Sequence, residues 1–254
     1  MNKIIPIVAL SLLASIFAIW FLAHRAPTAH TSAHDDILIV GTNSEYAPYS
    51  FMQDNTVVGF DIDLINEVAK RMNKKIELRD MAFDALIPAL QIGSIQVIGA
   101  GLTPTPDRAL RIYFTKPYIH GDPLLIISPA SNPLTTLDQL KGKKVAVNEG
   151  FTADYYMAKV EGPELVRYAA PIESFMALEN KSVDAFVAAR SSIKSFIDHY
   201  GKEKFSLAEI PTTGDEYAIA ISKKYPELLE PIQKALDEIA ADGTLEMLKK
   251  KWLE

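Results

Sequence analysis

Arg108 is the residue whose position most clearly suggests binding chemistry. It follows Thr105, a favourable N-cap, and Pro106, which suits the first position of a helix. A cation in this first turn opposes the helix dipole unless an anion is held between the guanidinium and the free backbone N–H groups. The planar guanidinium can hold a carboxylate at two points. The alternative is that Arg108 pairs with Asp107 or another neighbour on a solvated face, and these residues alone leave it open.

Gly101 and Thr103 lie just before this turn and could assist an anion site. Glycine lets a ligand approach the backbone closely, and threonine supplies a hydroxyl. Gly99 and Gly101 also resemble the start of a dinucleotide-binding motif, but Pro104 stands where that motif requires a third glycine. The sequence therefore predicts no dinucleotide cofactor here.

An aromatic group could hold the body of a ligand near predicted strand ends. Its candidate members are Tyr46, Tyr49, Phe51, Phe60 and Phe83. Most of these are expected in the core, and Tyr46 and Phe83 are the two expected to face a ligand, because each follows a strand directly into a turn. Asn43, Glu45 and Thr103 could add directional hydrogen bonds, although a capping or solvated role remains open for each.

Catalytic signatures are poor. Three of the five histidines (His24, His30 and His34) precede the predicted domains, which leaves His120 and His199, both interpreted as surface or capping residues. The sequence shows no metal-ligand spacing, no nucleophile elbow and no phosphate-binding loop. We therefore expect no catalytic residue, no metal and no cofactor.

The chain begins with an uncharged apolar stretch, residues 4–23. This stretch is typical of an export signal or of an uncleaved membrane anchor, and both remain open because Phe21 spoils one cleavage site and residues 31–33 offer only a distant one. A polar linker ends at residue 34. The sequence contains no cysteine, so structural disulfides and a lipid-modified N-terminal cysteine are excluded.

The part of the chain after the leader is acidic. It holds 24 of the 26 basic residues and all 32 acidic ones, which gives a net charge of about −8. Nucleic acid is therefore not an expected partner. About 220 residues remain, enough for two small domains or one large one.

Strand-like and helix-like segments alternate almost to the end of this part, which predicts α/β units with mainly parallel sheets. Two clusters of helix and strand breakers, at residues 115–123 and 211–216, suggest that the chain leaves one domain, builds a second and returns. The predicted organisation is a leader and linker (1–34), a discontinuous first lobe (35–119 and 217–254) and a second lobe (124–210).

Several stretches, in their order and spacing, resemble the solute-binding proteins of polar amino-acid ABC transporters, family 3. They are Gly41–Asn43 with Tyr46–Tyr49, Gly59–Leu64, Phe83–Leu90, Gly101–Thr105 with Arg108, Pro117–Tyr118 and Leu140–Val145. The resemblance implies the two-lobed type II periplasmic-binding-protein fold, with two mixed, mainly parallel sheets flanked by helices and joined by two hinge strands. The members nearest in these stretches resemble arginine or basic amino-acid binders.

The resemblance also implies roles for individual residues. Arg108 would clamp the ligand α-carboxylate, assisted by Thr103 and the backbone at Gly101. Tyr46 and Phe83 would enclose the ligand side chain, and Asn43 would meet its far end. Thr152, expected from its sequence position to cap a helix, would close with the neighbouring loop from the second lobe.

One departure from the family pattern concerns the ligand α-ammonium. The aspartate that the family usually places after a strand of the second lobe is replaced by Ala188 and Ala189. An ammonium buried without a carboxylate would be costly. Either Glu149 or Asp154 therefore substitutes, or the ligand is not an ordinary α-amino acid.

The predicted function is that of a monomeric, exported, periplasmic protein that delivers a polar amino acid to a membrane permease and ATPase. An anchor formed by an uncleaved leader would tie it to the inner membrane. Two rivals stay open. One is a periplasmic enzyme similar to cyclohexadienyl dehydratase, with Glu45, Glu149 or His120 as its acid or base. The other is a membrane-anchored ligand sensor.

Overall fold

The computed structural model describes residues 36–211 and 213–253, so the predicted leader and linker lie outside the described residues. The strands are β1 (Ile37–Thr42), β2 (Glu45–Tyr46), β3 (Ser50–Gln53), β4 (Thr56–Val58), β5 (Lys75–Asp80), β6 (Val97–Ile98), β7 (Tyr113–Phe114), β8 (Ile119–Asp122), β9 (Leu124–Pro129), β10 (Lys144–Asn148), β11 (Glu164–Tyr168), β12 (Ala185–Ala189), β13 (Phe205–Glu209), β14 (Asp215–Tyr217) and β15 (Ala220–Ile221).

The described helices are α1 (Phe60–Arg71), α2 (Phe83–Ile92), α3 (Pro106–Ala109), α4 (Thr152–Met157), α5 (Pro171–Glu179), α6 (Arg190–Tyr200), α7 (Leu229–Ala241) and α8 (Thr244–Trp252). Short 3-10 turns occur at Leu137–Leu140, Lys202–Lys204 and Pro226–Leu228. Over the described part of the chain, no helix combines the length and the apolar character needed to cross a membrane.

The first sheet has the strand order β5-β1-β6-β15-β7. Strand β1 pairs in parallel with β5 and β6, whereas β15 pairs antiparallel with β6 and β7. Helix α1 packs on this sheet because its apolar positions recur at helical spacing, and its ends suit the dipole, with Asp61 and Asp63 in the first turn and Lys70 and Arg71 in the last. Helices α7 and α8 pack against α1, so the end of the chain returns to the first sheet.

The second sheet has the order β11-β10-β12-β9-β13. Strands β11, β10 and β12 run parallel, and β9 pairs antiparallel with β12 and β13. Two apolar clusters lie on this sheet, one around Val145 and Met157 and the other around Phe175 and Phe186. The mixed α/β class predicted from the sequence, with helices flanking mainly parallel sheets, is confirmed.

Strands β8 and β14 form a separate antiparallel ribbon. Strand β8 lies in the chain between β7 of the first sheet and β9 of the second, and β14 lies between β13 of the second sheet and β15 of the first. Asp122 of β8 is opposite Asp215 of β14. These two strands are the crossing connections that the family resemblance implies.

Candidate ligand-binding site

A cavity lies between segments of the two sheets, and β14 borders it. The first wall comes from elements beside the first sheet. It is formed by Tyr46 of β2, Phe83 of α2, Gly101 and Thr103 of the loop after β6, and Arg108 of α3. The second wall, from segments of the second sheet, is formed by Asn148, Phe151, Thr152, Ala153, Val187, Ala188, Ala189 and Ser192. Strand β14 contributes Asp215 and Tyr217. The free volume is only about 10 Å³, close to what one water molecule requires.

Arg108 is held in the short helix α3 in the way the sequence predicts. Thr105 is the N-cap, its hydroxyl accepts a hydrogen bond from the backbone N–H of Arg108 (3.3 Å), and Pro106 starts the helix. The side chain is only 2% exposed and faces the cavity. The alternative of a pair with Asp107 on a solvated face is therefore wrong.

The donors of Arg108 are only partly engaged. Nη1 donates to the carbonyl oxygen of Thr103 (2.8 Å) and Nη2 donates across the cavity to the carbonyl oxygen of Gly150 (2.8 Å). The buried Nε–H has no acceptor among the described residues. Burial lowers the pKa of Arg108 to about 10, so the guanidinium stays charged at neutral pH. A guanidinium has five N–H donors, and this one therefore retains the capacity to bind an anion.

Three aromatic rings meet in the cavity. Phe83 stacks on Phe151 with ring centroids 4.1 Å apart, and Phe151 also contacts Tyr46 edge-on at 5.7 Å. Phe151 lies in the loop after β10, so its ring belongs to the second wall but packs against the aromatic rings of the first wall. The ring of Phe151 thus contacts both residues that the resemblance assigns to the ligand side chain.

Gly101 contributes space rather than a donor. Its φ is +58°, and a Cβ added there would lie 2.5 Å from the Tyr46 ring, so only glycine allows that ring to pack here. Its backbone N–H donates to the carboxylate of Asp61, which also accepts a hydrogen bond from the Tyr118 hydroxyl (2.7 Å). The N–H expected to assist the ligand is therefore already bonded. Burial raises the pKa of Asp61 to about 7.

A buried polar network joins the first wall to the crossing strands. The Tyr217 hydroxyl donates to Asp122 (2.5 Å), so the hydroxyl of Tyr46, 2.8 Å away, is the donor to Tyr217. The backbone N–H of Ser191, in α6, also donates to Asp122 (3.1 Å). Burial raises the pKa of both tyrosines, which therefore remain protonated. The network links Tyr46 of the first wall to helix α6 through the ribbon.

Thr152 does not cap α4, contrary to the sequence prediction. The N-cap is Phe151, and the Thr152 hydroxyl donates instead to the carboxylate of Asp215. Burial raises the pKa of Asp215 to about 6, and of the described residues that line the cavity it is the one acid. Sequence reasoning missed this residue because residues 211–216 were interpreted only as a boundary. The sequence around Asp215 offers no local signal, because the contact that identifies it, with Thr152, joins residues 63 positions apart.

The comparisons with known proteins are consistent with this geometry. The family model of the bacterial extracellular solute-binding proteins, family 3, matches residues 38–254. The chain belongs to this family. The resemblance inferred from the sequence motifs is thereby confirmed.

Relatives of this solute-binding protein cover most of its length. It is 32% identical over 216 residues to the probable histidine-binding protein of Campylobacter jejuni. The aligned region is 85% of this chain and 84% of that protein. It is 33% identical over 228 residues to the arginine-binding extracellular protein ArtP of Bacillus subtilis, with 85% of each covered. An ancestral arginine-binding protein bound to arginine has a TM-score of 0.81 and 35% identity, and covers 86% of this chain and 99% of that chain. The family and these relatives are solute-binding proteins, so the enzyme alternative is not favoured.

Two of the predicted site residues of this solute-binding protein lie outside the cavity lining. Asn43 is buried, and its side-chain amide donates to the carbonyl oxygen of Met81 (3.1 Å). Glu149 is exposed and directs only its backbone N–H inward, to the carbonyl oxygen of Tyr168 (2.9 Å). Asp154, the other candidate for the ligand ammonium, pairs with Arg167 (2.9 Å). Neither acid is therefore placed to bind the ligand α-ammonium instead of the family aspartate, which Ala188 and Ala189 replace.

Proposed function

We propose that this solute-binding protein captures a polar α-amino acid in the periplasm and delivers it to the permease and ATPase of an ABC transporter. The observation that carries the proposal is the buried guanidinium of Arg108, whose Nε–H has no acceptor among the described residues and whose side chain lines the cavity. Of the charged groups of an amino acid, the carboxylate is the one that this planar set of donors fits best. The names of these relatives make arginine and histidine the first ligands to test.

In this proposal, binding requires the two walls to separate and close again. The ring of Phe151 stacks on Phe83, so it must leave Phe83 before a ligand side chain can lie between Phe83 and Tyr46. The chain crosses between the sheets only at β8 and β14 in the described residues, and these strands are where rotation would occur. The ligand stabilises the closed form by contacting both walls.

We further propose the lobe boundaries at the crossing strands, a monomeric state, and roles for the site residues. Arg108 holds the ligand carboxylate, with the Thr103 hydroxyl beside it. Tyr46 and Phe83 contact the side chain, and Thr152 closes from the second wall. Attachment to the inner membrane, on which the sensor alternative depends, concerns residues 1–34, which lie outside the described part.

A thermal-shift panel of amino acids tests the proposal. Arginine, lysine, histidine or glutamine should raise the melting temperature, because a ligand at 100 times its Kd adds about 2.7 kcal/mol, or roughly 5 to 10 °C in a chain of this size. Arg108→Ala should abolish the shift. Arg190→Ala, which removes an exposed arginine that pairs with Glu209 outside the cavity lining, should retain it. A wild-type protein that is unmoved by all amino acids but converts prephenate or arogenate would instead be an enzyme.

A further inference from the structure

Asp215 is a cavity carboxylate without a cationic partner. Within the described residues, its carboxylate accepts a side-chain hydrogen bond from the Thr152 hydroxyl, and no ion pair involves it. Arg108 is close enough for each charge to shift the pKa of the other, but the two side chains do not form a salt bridge. Among the described residues, the charge of Asp215 therefore has no ion-pair partner in the closed cavity.

The other buried carboxylates near the cavity are saturated. Asp122 accepts hydrogen bonds from the Ser191 backbone, the Ser191 hydroxyl and the Tyr217 hydroxyl. Asp61 accepts from Gly101 and Tyr118. Neither lines the cavity, so Asp215 alone of these three offers free acceptor capacity to a ligand.

An α-amino acid carries a carboxylate and an ammonium on one carbon atom, so its site needs a cation and an anion that face the same small volume. A buried ammonium without a carboxylate partner would be costly. The cavity offers one lining residue of each sign, Arg108 from the first wall and Asp215 from the crossing strand. The second wall offers Ala188 and Ala189 and no charged side chain.

We infer that Asp215, from the crossing strand β14, binds the α-ammonium of the ligand and so makes the site specific for α-amino acids over simple carboxylic acids. The inference rests on the proposed function. Because β14 connects the two sheets, the ammonium would be held at the hinge itself rather than by the second wall. Thr152, bonded to the same carboxylate, would place the second wall against the ligand only when Asp215 is correctly oriented.

The test compares each amino acid with its deamino analogue. Binding of L-arginine, L-histidine and L-glutamine is measured by calorimetry beside 5-guanidinopentanoate, 3-(imidazol-4-yl)propanoate and glutaramate. The wild type should prefer the amino acid by about 30-fold or more, the ratio expected when one partner of a buried charge pair is missing. Asp215→Asn should lose most of this preference, weakening the amino acid by that factor and leaving the analogue within about twofold.

Glu216→Gln is the matched control, because Glu216 neighbours Asp215 in the same strand but is exposed. It should leave the preference unchanged. If Asp215→Asn weakens amino acid and analogue equally, Asp215 only supports Thr152 and the inference fails while the solute-binding function stands. If the wild type binds none of the amino acids, both fail.

A crystal structure of the wild type with its amino acid provides the second measurement, should the variant fail to fold. The ammonium nitrogen should lie within hydrogen-bonding distance of the Asp215 carboxylate. An ammonium bonded instead to Asn148 or Ser192, with Asp215 still held only by Thr152, would overturn the inference and leave amino-acid binding intact.

Discussion

The two walls of the cavity differ in charge and in how their polar groups are used. The first wall contains Arg108, which is buried and whose Nε–H has no partner in the described part of the chain. The second wall, as its described lining residues define it, contains no charged side chain, and apart from Thr152, which donates to Asp215, its polar members are bonded within their own side of the molecule. Asn148 donates to the Ser174 hydroxyl (3.2 Å), and the Ser192 hydroxyl donates to the carbonyl oxygen of Ala189 (2.8 Å).

This difference indicates that the two walls contribute differently to ligand binding. The charged groups that would bind the ligand are Arg108 in the first wall and Asp215 in the crossing strand. Neither depends on closure of the second wall for its position. The second wall supplies small apolar surface, the hydroxyl of Thr152 and the ring of Phe151. We therefore expect the ligand to bind first to the first wall and the second wall to close on it by shape.

The largest expected effect concerns the support beneath the first wall. Asp61→Ala would leave the Gly101 N–H and the Tyr118 hydroxyl without their acceptor. Unsatisfied buried polar groups cost about 1 to 3 kcal/mol each, so we expect a loss of about 3 kcal/mol in the free energy of unfolding. Chemical denaturation of the ligand-free protein measures it.

Asp61→Asn is the control for this substitution, because the amide retains an oxygen acceptor. It should cost clearly less than Asp61→Ala. Equal destabilisation by the two variants would mean that packing, and not the two hydrogen bonds, determines the role of Asp61, and the first wall would then not differ from the second in its polar support.

The charged residues of the first wall and of the crossing strand were not equally predictable from the sequence. Arg108 could be predicted because its signal is local, in the cap and proline that precede it. Asp215 could not be predicted from local signals, because its burial depends on Thr152, 63 positions earlier in the chain. The same long-range bond explains why Thr152 is not the helix cap. Glu149 illustrates the converse: it follows the same strand as the cavity residues, but its side chain points outward.

The second-largest effect should follow from filling the second wall. Ala189→Leu adds volume where the cavity is already narrow and Ala189 is 7% exposed. Overpacking of this kind costs about 1 to 3 kcal/mol, and we expect ligand affinity to fall by tenfold or more. Calorimetry measures it, with Ala158→Leu, an exposed alanine at the end of α4, as the control. Unchanged affinity would show that the ligand does not contact this wall.

A smaller effect is expected for the aromatic contact between the walls. Phe151→Ala removes the stack on Phe83, and aromatic pairs contribute about 0.5 to 1.5 kcal/mol. The ligand-free protein should then be more open, which small-angle X-ray scattering would detect as a larger radius of gyration. Phe196→Ala removes a stacked pair with Phe175, between helices α6 and α5 and away from the cavity, and should leave the radius unchanged. An equal radius in all three proteins would contradict a role for Phe151 in closure.

The smallest expected effect is the pH dependence that Asp215 adds to the ligand-free protein. Burial raises the pKa of this carboxyl to about 6, against about 3.9 in an unfolded chain. The folded state therefore binds the Asp215 proton more tightly than the unfolded state does. The contribution of this proton to the free energy of unfolding is fully present below about pH 4 and is lost as the pH rises through about 6. From Asp215 alone, the free energy of unfolding should be roughly 1 kcal/mol higher at pH 5.5 than at pH 7.5.

The measurement is the difference between wild type and Asp215→Asn in chemical denaturation at the two pH values. The groups that face Asp215 are Thr152, Arg108 and Asp122, and all three are retained in the variant. Asp61, whose pKa burial raises to about 7, adds a dependence of the same sign to both proteins and so cancels in the difference. The exposed Asp242 has a pKa of about 2 and titrates below this range. Equal dependence of the free energy of unfolding on pH in the two proteins would mean that Asp215 is already ionised and paired in the ligand-free state. Asp215 would then not be the free carboxylate of the cavity.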